Sequence, residues 1–283
     1  MQNQNAITTE AQAAFAAYLK LEEKAGATIE KYGRDIRAFT LWLGSAAVTK
    51  EAAADYKKHL LGLGRVAAGV NAVIAALNAF FGFMGWEIKL KPLKIQRQTF
   101  RDKSKELNKD EYARLLNAAK SKGNERLNLV IQSICSTGIR VSELRFTTVE
   151  AVKAGMAEIT SKGKTRTVFI PKKLKPLLLS YAKGRGTLFG CIFITKSGRP
   201  LDRSNIWAEM KKLCDTAGVE ASKVFPHSLR SLFARLFYGA DKDIIRLADI
   251  LGHSSVDTTR IYLMESGEQH RKRVDALGLV IMT

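Results

Sequence analysis

Four side chains in the last third of the chain have the chemical types and the spacing to handle a phosphate group. His227 and Arg230 lie three residues apart, and His253 and Tyr262 complete a set that spans 36 residues. If Pro226 opens a helix, His227 and Arg230 leave the same face of it and can converge on one small anion. The hydroxyl of Tyr262 is then a candidate nucleophile.

His253 and Tyr262 cannot share one straight helix if both serve the same phosphate. Their nine-residue separation on such a helix would place them about 13 Å apart. Gly252 supplies a C-terminal stop for a first helix, and Ser254 or Ser255 supplies a cap for a second, short helix. We therefore expect the helix to break between His253 and Tyr262.

A second arginine precedes this set in the segment Thr-Gly-Ile-Arg-Val-Ser-Glu-Leu. Gly138 is predicted to end a helix, which places Arg140 in a turn where the backbone fixes its direction. Glu143 follows three residues later. It either buttresses Arg140 or is an ordinary first-turn glutamate favoured by the helix dipole, and the sequence leaves both interpretations open.

A net charge of +19 over 283 residues is the strongest feature of the composition. Such an excess of Lys and Arg favours binding to a polyanion, through phosphate contacts and the release of counterions. A nucleic acid is therefore favoured over a membrane, and a generally basic solvated surface is the alternative.

The composition also argues against other classes of protein. No run of about 18 uncharged apolar residues could span a bilayer, and the N-terminus lacks the pattern of a secretory signal, so cytoplasmic residence is expected. Cys135, Cys191 and Cys214 are widely spaced and are interpreted as buried thiols. Without a Cys-His or Asp/Glu cluster, we expect neither a metal site nor a cofactor, which argues against a metal-dependent nuclease.

Two regions with different patterns are predicted. Apolar residues recur every three or four positions through most of residues 1–95, which indicates a bundle of four or five helices. The pattern dissolves between Lys89 and Glu106, where seven residues are basic, and we place a basic linker at 96–106. Residues 107–283 mix helices with short strands. The expected fold is thus mainly α with a small β-hairpin, a helical bundle followed by an α+β domain.

Two strand patterns in the second region, Met156–Thr160 and Arg166–Ile170, flank a Ser-Lys-Gly-Lys turn and predict the β-hairpin. The segment that opens at Asn108 and Glu111 has the residues of a capping box. Farther along we expect a helix at 172–183, a strand at 191–195, one amphipathic helix at 202–217, a helix at 244–251 and a short basic tail helix at 268–277.

The segments TGIRVSEL, HSLR, ILGHSS and TTRIYL, in this order, resemble the tyrosine recombinase (phage integrase) family. The resemblance covers nearly the whole chain and is strongest over residues 107–265. It implies a site-specific recombinase or integrase that cleaves and rejoins duplex DNA through a 3′-phosphotyrosine, without metal or ATP. Residues 1–95 would form the core-type DNA-binding domain, and residues 107–283 the catalytic domain.

The resemblance implies roles for the residues singled out above. Arg140 and Arg230 would neutralise a phosphorane-like transition state, because a guanidinium fork matches two non-bridging oxygens. Tyr262 would attack the phosphorus, His227 would act as base or proton relay, and His253 would hydrogen-bond the phosphate. Taken alone, Tyr262 between Ile261 and Leu263 and His253 at a helix end also fit structural roles.

The sixth residue implied is a lysine on the β-hairpin. In the family such a lysine reaches the active site, where it would protonate the leaving 5′-oxygen as general acid. Lys162, immediately before Gly163, matches this position best. The segment is shorter than the usual family pattern, so Lys164 remains the alternative.

The resemblance also implies partners. We expect double-stranded DNA as substrate, a homodimer on one site and a tetramer in synapsis, with the tail helix docked on a neighbouring protomer, and neither a membrane nor a small-molecule cofactor. Arg65, Lys94 and Arg97 are candidate DNA contacts. The alternatives are a type IB topoisomerase-like relaxase acting as a monomer and, less favoured, a non-catalytic DNA-binding regulator.

Overall fold

The apolar periodicity of the first region folds into helices in the computed structural model, which describes residues 5–95, 100, 102–161, 164–195, 197–264 and 267–279. The chain divides into two compact units, Met1–Arg97 and Gln98–Thr283. This division falls within the predicted linker at 96–106, of which residues 96–99 and 101 lie outside the described part.

The first unit contains four helices in its described residues. Its core is apolar and aromatic, with Phe15, Phe39, Phe80 and Phe81 fully buried. The helices are α1 (Thr9–Leu21), α2 (Gly26–Leu43), α3 (Lys50–Gly62) and α4 (Ala67–Phe83). The expectation of a helical bundle is confirmed.

An extended segment after α4 is held by two asparagines of that helix. Asn78 exchanges two hydrogen bonds of 2.9 Å with the backbone of Leu90. Asn71 does the same with Leu93, at 2.9 and 2.7 Å. The backbone N–H and C=O groups of Leu90 and Leu93 are thereby satisfied without a strand partner. Lys94 follows directly and is exposed.

The second unit is built from ten helices, a two-stranded sheet and short 3₁₀ turns in its described part. The predicted fold class, mainly α with a small β-hairpin, is confirmed. The elements are α5 (Lys109–Ser121), α6 (Glu125–Thr137), a 3₁₀ turn (Val141–Phe146), α7 (Val149–Ala154), β1 (Met156–Ser161), β2 (Lys164–Phe169), α8 (Leu174–Gly184), α9 (Arg203–Lys211), α10 (Cys214–Ala217), α11 (Pro226–Asp241), α12 (Ile244–Leu251), α13 (Val256–Leu263) and α14 (Gly267–Asp275), with further 3₁₀ turns at Lys103–Lys105 and Ala221–Lys223.

Local sequence signals explain several of these boundaries. Asn108 and Glu111 form the predicted capping box at the start of α5. Pro226 occupies the first turn of α11, where its missing N–H costs nothing. Gly138 ends α6 in the left-handed conformation, with a φ of 67°. Strands β1 and β2 pair antiparallel, with Ile159 opposite Arg166.

Two predictions of secondary structure were wrong. Residues 191–195 form isolated bridges instead of a strand, because Cys191 pairs with Thr148 and Ile194 with Pro200, and neither pair extends into a ladder. The helix expected at 202–217 is divided into α9 and α10. The Leu213 N–H bonds to the carbonyl of Met210, three residues back, so the turn tightens while the buried face continues.

The second unit has one large core and one small one. Helices α6 and α11 pack together at the large core, with α5, α8 and the inner face of the hairpin around them. The small cluster contains Ala234, Leu247, Leu251 and Tyr262 and lies where α11, α12 and α13 meet. Within the described residues, every helix is too short or too polar to cross a bilayer.

Candidate active site

The break predicted between His253 and Tyr262 is confirmed. Helix α12 ends because Gly252 adopts the left-handed conformation, with a φ of 64°. Ser255 caps α13 by accepting a hydrogen bond of 3.2 Å from the N–H of Asp257. The turn between the helices lets His253 stack on the ring of Tyr262, with ring centroids 5.6 Å apart.

Tyr262 lies between two histidines. Its ring centroid is 5.3 Å from that of His227 on α11 and 5.6 Å from that of His253. The residue is only 4 % exposed, because Leu247 and Leu251 cover its apolar face. Both interpretations of Tyr262 thus describe its surroundings: it is packed in an apolar cluster and it faces the candidate site.

Arg230 is buried at the centre of the site and is 2 % exposed. Its guanidinium donates to the carbonyls of Gly138 and Leu251, and Nη2 lies 3.1 Å from Nε2 of His253. Burial and the nearby Arg140 lower the pKa of Arg230 to about 10, while a hydrogen bond to Tyr262 opposes this shift. Arg230 therefore keeps its positive charge at neutral pH.

His253 is neutral in this arrangement. Burial, followed by the charges of Arg230 and Arg140, lowers its pKa to about 4. Because an arginine can only donate, Nε2 of His253 accepts from Arg230 and the proton resides on Nδ1. Nδ1 then donates to the hydroxyl of Thr259, 2.8 Å away. To donate to a phosphate through Nε2, His253 has to gain a proton there or move one from Nδ1.

Glu143 contacts Arg140, as the interpretation of Glu143 as a buttress for this arginine required. The two residues form an ion pair of 2.9 Å, and the Arg140 N–H donates to the same carboxylate at 2.8 Å. Burial alone would raise the pKa of Glu143, but hydrogen bonds from Arg166 and Arg140 outweigh it and lower the pKa to about 2. The carboxylate is 4 % exposed and remains ionised.

Arg166 on β2 is a member of the site that the sequence did not reveal. Its two Nη atoms donate to the two oxygens of Glu143 at 3.0 and 2.8 Å, and its Nε donates to the carbonyl of Ile250 at 3.2 Å. A signal was present, because Arg166 shares the inner face of the hairpin with the buried Val168. A charged side chain on a buried face requires a partner.

The end of α12 receives a row of arginines. The carbonyl of Ile250 accepts from Arg166, and that of Gly252 accepts from Arg140 at 3.2 Å. Between them, the carbonyl of Leu251 accepts from Arg230 at 2.5 Å. The last carbonyls of a helix lack partners within it and carry partial negative charge. Three consecutive carbonyls thus hold three cationic side chains.

A cavity of about 330 Å³ opens beside these arginines. Its walls include Arg140, His227 and Arg230, together with Arg203 and Trp207 of α9. Trp207 is 49 % exposed, so part of its indole faces solvent. The sequence did not predict Arg203 or Trp207 at this site.

The structure thus brings five of the six predicted catalytic residues together. These are Arg140, His227, Arg230, His253 and Tyr262. Lys162 lies outside the described residues, as does the side chain of its alternative, Lys164, so the prediction of the hairpin lysine stays a prediction. In the first unit Arg65 and Lys94 are exposed, and Arg97 lies outside the described residues. Among the described residues, no three His, Cys, Asp or Glu side chains are grouped as metal ligands.

We expect Gly252→Ala to destabilise the protein. An added Cβ would lie 2.7 Å from Cδ of Arg166, and the left-handed backbone costs a non-glycine residue about 1–2 kcal/mol. Chemical denaturation measures the loss of stability. Gly123→Ala is the matched control, because its φ of 63° is similar and its Cβ would meet nothing within 4 Å. Equal losses in the two variants would contradict a role for the Arg166 contact.

Comparisons with known proteins identify the family of this chain. The model of the phage integrase family matches residues 105–269. A tyrosine recombinase XerA of Thermococcus kodakarensis is 31 % identical over 276 residues, covering 94 % of both chains. A XerD of Halalkalibacterium halodurans is 28 % identical over 83 % of this chain and 86 % of its own.

Solved structures share the fold. A lambda integrase fragment (75-356), a dimer bound to a COC′ core site, superposes with a TM-score of 0.73 at 20 % identity, covering 92 % of this chain and 96 % of that one. A XerH recombinase in a post-cleavage complex with palindromic difH gives 0.72 at 22 % identity, covering 87 % and 78 %. With a family model matched over more than half of its length and a relative above 30 % identity along nearly all of it, the chain belongs to the phage integrase family, the tyrosine recombinases.

Proposed function

We propose that this protein is a site-specific DNA recombinase that cleaves and rejoins duplex DNA through a covalent bond to Tyr262. The observation that carries this proposal is the position of Tyr262, whose ring lies between two histidines and which interacts electrostatically with the buried Arg230. A phenol in such contacts is close to groups that take a proton and to a cation that stabilises an oxyanion.

In the first step, the phenolic oxygen attacks the scissile phosphorus and the bond to the 5′-oxygen of the next nucleotide breaks. The DNA remains as a 3′-phosphotyrosine, and the leaving oxygen takes a proton to become a 5′-hydroxyl. Because one phosphodiester replaces another, the bond energy is kept and a second 5′-hydroxyl can reverse the step without ATP.

Arg140 and Arg230 are proposed to bind the two non-bridging oxygens. Both line the cavity, and a guanidinium stabilises the charge that grows on these oxygens as the phosphorane forms. Arg230 is held rigidly by backbone carbonyls, whereas the side chain of Arg140 is 38 % exposed and reaches the open part of the site. The hairpin lysine, Lys162 or Lys164, is proposed to protonate the leaving oxygen.

The histidines are proposed to move and hold protons. His227 contacts the ring of Tyr262 from the cavity side and is the proposed acceptor of the phenolic proton. A phosphate anion in the cavity favours the charged form of His253 and so raises its pKa. His253 then carries a proton on Nε2 and donates it to a phosphate oxygen.

We further propose double-stranded DNA as the substrate and an assembly of two protomers per site and four in synapsis. Support comes from relatives of the same fold, among them a lambda integrase dimer on a core site and a lambda integrase tetramer on a Holliday junction. The net charge of +19 supports the same substrate. An enzyme that acts on DNA shares the compartment of its substrate, and this agrees with the cytoplasmic location expected from the sequence.

Recombination and relaxation can be separated in one experiment. Supercoiled plasmids carrying two copies of a site, taken from inverted repeats beside the gene, are incubated with the protein without metal and ATP. A recombinase gives inverted or resolved products that need both sites, as well as covalent adducts. A topoisomerase-like relaxase would instead give a ladder of relaxed plasmids whether or not a site is present, and that outcome would overturn the proposal.

Binding to duplex DNA should weaken steeply with salt. The logarithm of the binding constant should fall with the logarithm of salt concentration, with a slope of roughly 0.9 for each phosphate neutralised. Titrations by fluorescence anisotropy at several salt concentrations measure this slope. Lys94→Gln should reduce it by about 1 if this exposed lysine contacts a phosphate. A nearly flat dependence for the unmodified protein would contradict a nucleic-acid substrate.

A further inference from the structure

Arg166 has no role in the mechanism described so far, yet its side chain makes three hydrogen bonds within the site, against two from the side chain of Arg140. Its guanidinium binds Glu143 with both Nη atoms and the carbonyl of Ile250 with Nε. Its side chain is only 12 % exposed, and it comes from β2, whereas its partners belong to the 3₁₀ turn after α6 and to α12. Arg166 therefore links three separate elements of the second unit.

Glu143 is fully occupied by these contacts. Oε1 accepts from Nη1 of Arg140 and Nη1 of Arg166, and Oε2 accepts from the backbone N–H of Arg140 and Nη2 of Arg166. Two acceptor bonds for each oxygen satisfy an ionised carboxylate. Glu143 is thus placed to hold one arginine in a fixed direction with the help of another, and its carboxylate has no lone pair left for a proton transfer.

The contact with Ile250 places Arg166 beside the two arginines that line the cavity. Arg166, Arg230 and Arg140 bind the carbonyls of residues 250, 251 and 252 in that order. Like charges this close repel each other, and the ionised Glu143 with the carbonyl end of α12 offsets that repulsion. Loss of Arg166 removes half of the bonds to Glu143 and leaves the Ile250 carbonyl without this donor.

We propose that Arg166 is a positioning residue for strand cleavage, which fixes the direction of Arg140 through their shared partner Glu143. Nε and both Nη atoms of Arg166 are directed at Ile250 and Glu143, so its guanidinium is not placed to bind the phosphate itself. It acts on the phosphate through Arg140. This inference rests on the proposed function and assigns a further residue to the same reaction.

A double-mutant cycle tests the link between Arg166 and Arg140. Single-turnover cleavage is measured as adduct formation on a suicide duplex for the wild type, Arg166→Met, Arg140→Met and the double variant. Arg166→Met should cleave about 10–100-fold more slowly while its DNA affinity stays within about threefold. In the Arg140→Met background the same change should cost less than about threefold, because the residue through which Arg166 acts is already gone.

A matched control removes an arginine of similar structural function elsewhere. Arg114 on α5 donates to the carbonyls of Ala217 and Gly218 at the end of α10, at 2.9 and 3.2 Å, and touches none of the site residues. Because Arg114 is exposed, Arg114→Met should lower the unfolding temperature less than Arg166→Met does, and it should leave the cleavage rate within about threefold. If Arg166→Met does not fold, Glu143→Gln breaks the same link and takes its place in the cycle.

The dependence on pH gives a second readout. The charged groups that face Glu143 are Arg140 beside it, Arg166 from β2 and Arg230 from α11. Without Arg166, the pKa of Glu143 rises, so its carboxylate takes a proton more readily as the pH falls. The rate of Arg166→Met relative to wild type should therefore decrease from neutral to mildly acid pH, and Arg166→Lys should restore part of the difference.

The outcomes separate this inference from the proposed function. If the wild type forms no adduct at all, the proposed function fails. If the wild type forms the adduct but the effects of Arg166→Met and Arg140→Met multiply, Arg166 acts independently of Arg140 and the inference is overturned. A constant rate ratio across pH would overturn it as well. Non-additive effects together with the pH-dependent ratio support it.

Discussion

Tyr262→Phe should bind duplex DNA with the affinity of the unmodified protein and form no covalent adduct. The substitution removes one oxygen and keeps the ring, so the ring contacts with His227 and His253 and the packing on Leu247 are preserved. Only the atom that would attack the phosphorus is lost. The effect on cleavage should therefore be complete within detection, while the effect on folding is small. A denaturing gel of suicide-substrate reactions and thermal unfolding measure the two.

Tyr238 provides the control for this experiment. It packs against the same small cluster, on α11, and Tyr238→Phe should leave adduct formation unchanged. Adducts that persist in Tyr262→Phe and disappear in Tyr238→Phe would assign the nucleophile to the other tyrosine. Adducts that persist in both would place it elsewhere in the chain.

Lys162→Ala should slow cleavage of ordinary DNA by about 10²–10⁴-fold, the usual contribution of general acid catalysis. The cleavage rate of the same variant should be largely restored on DNA whose scissile 5′-bridging oxygen is replaced by sulfur, because a thiolate leaves without a proton. Rates of adduct formation on the two substrates give the comparison. The prediction rests on the family pattern of the hairpin, since the structure does not describe Lys162.

Arg230→Met and Lys164→Ala complete the comparison. The sulfur-substituted substrate should not restore the cleavage rate of Arg230→Met to the same extent, because Arg230 is proposed to stabilise the non-bridging oxygens whichever atom departs. If Lys164→Ala shows both the defect and the restoration, and Lys162→Ala shows neither, then the shortened hairpin has moved the acid by two residues. If neither lysine variant is restored, a lysine is not the acid of this enzyme, and His227 or a bound water is the next hypothesis.

Much of the fold could be predicted because its boundaries are determined locally. Gly138 and Gly252 end their helices in the left-handed conformation, and Pro226 begins one, so short segments of sequence were sufficient. The break before Tyr262 followed from the distance that one straight helix would impose. The division of the helix at 202–217 could not be predicted. The buried face of Met210 and Cys214 continues across it, and the periodicity gives no sign of a tightened turn.

The site was predictable where its residues are close in sequence or match the family pattern. Glu143 lies three residues from Arg140, so their pairing could be proposed. Arg166 lies 23 residues from Glu143, and the alternating pattern of its strand does not distinguish it from any other hairpin arginine. The proton on Nδ1 of His253 depends on Arg230 and Thr259, whose positions follow only from the packing of α11, α12 and α13.

The carbonyl row at the end of α12 has a consequence for how the protein can change over evolution. Main-chain oxygens of residues 250–252 anchor three arginines, and every amino acid supplies the same oxygen. This anchoring therefore does not restrict which residue occupies the half-buried position 250. The next two positions are restricted, by apolar packing at 251 and by the lack of room for a Cβ at 252. Residue variation among descendants would then reveal Gly252 and the arginines and give no hint that position 250 belongs to the catalytic centre.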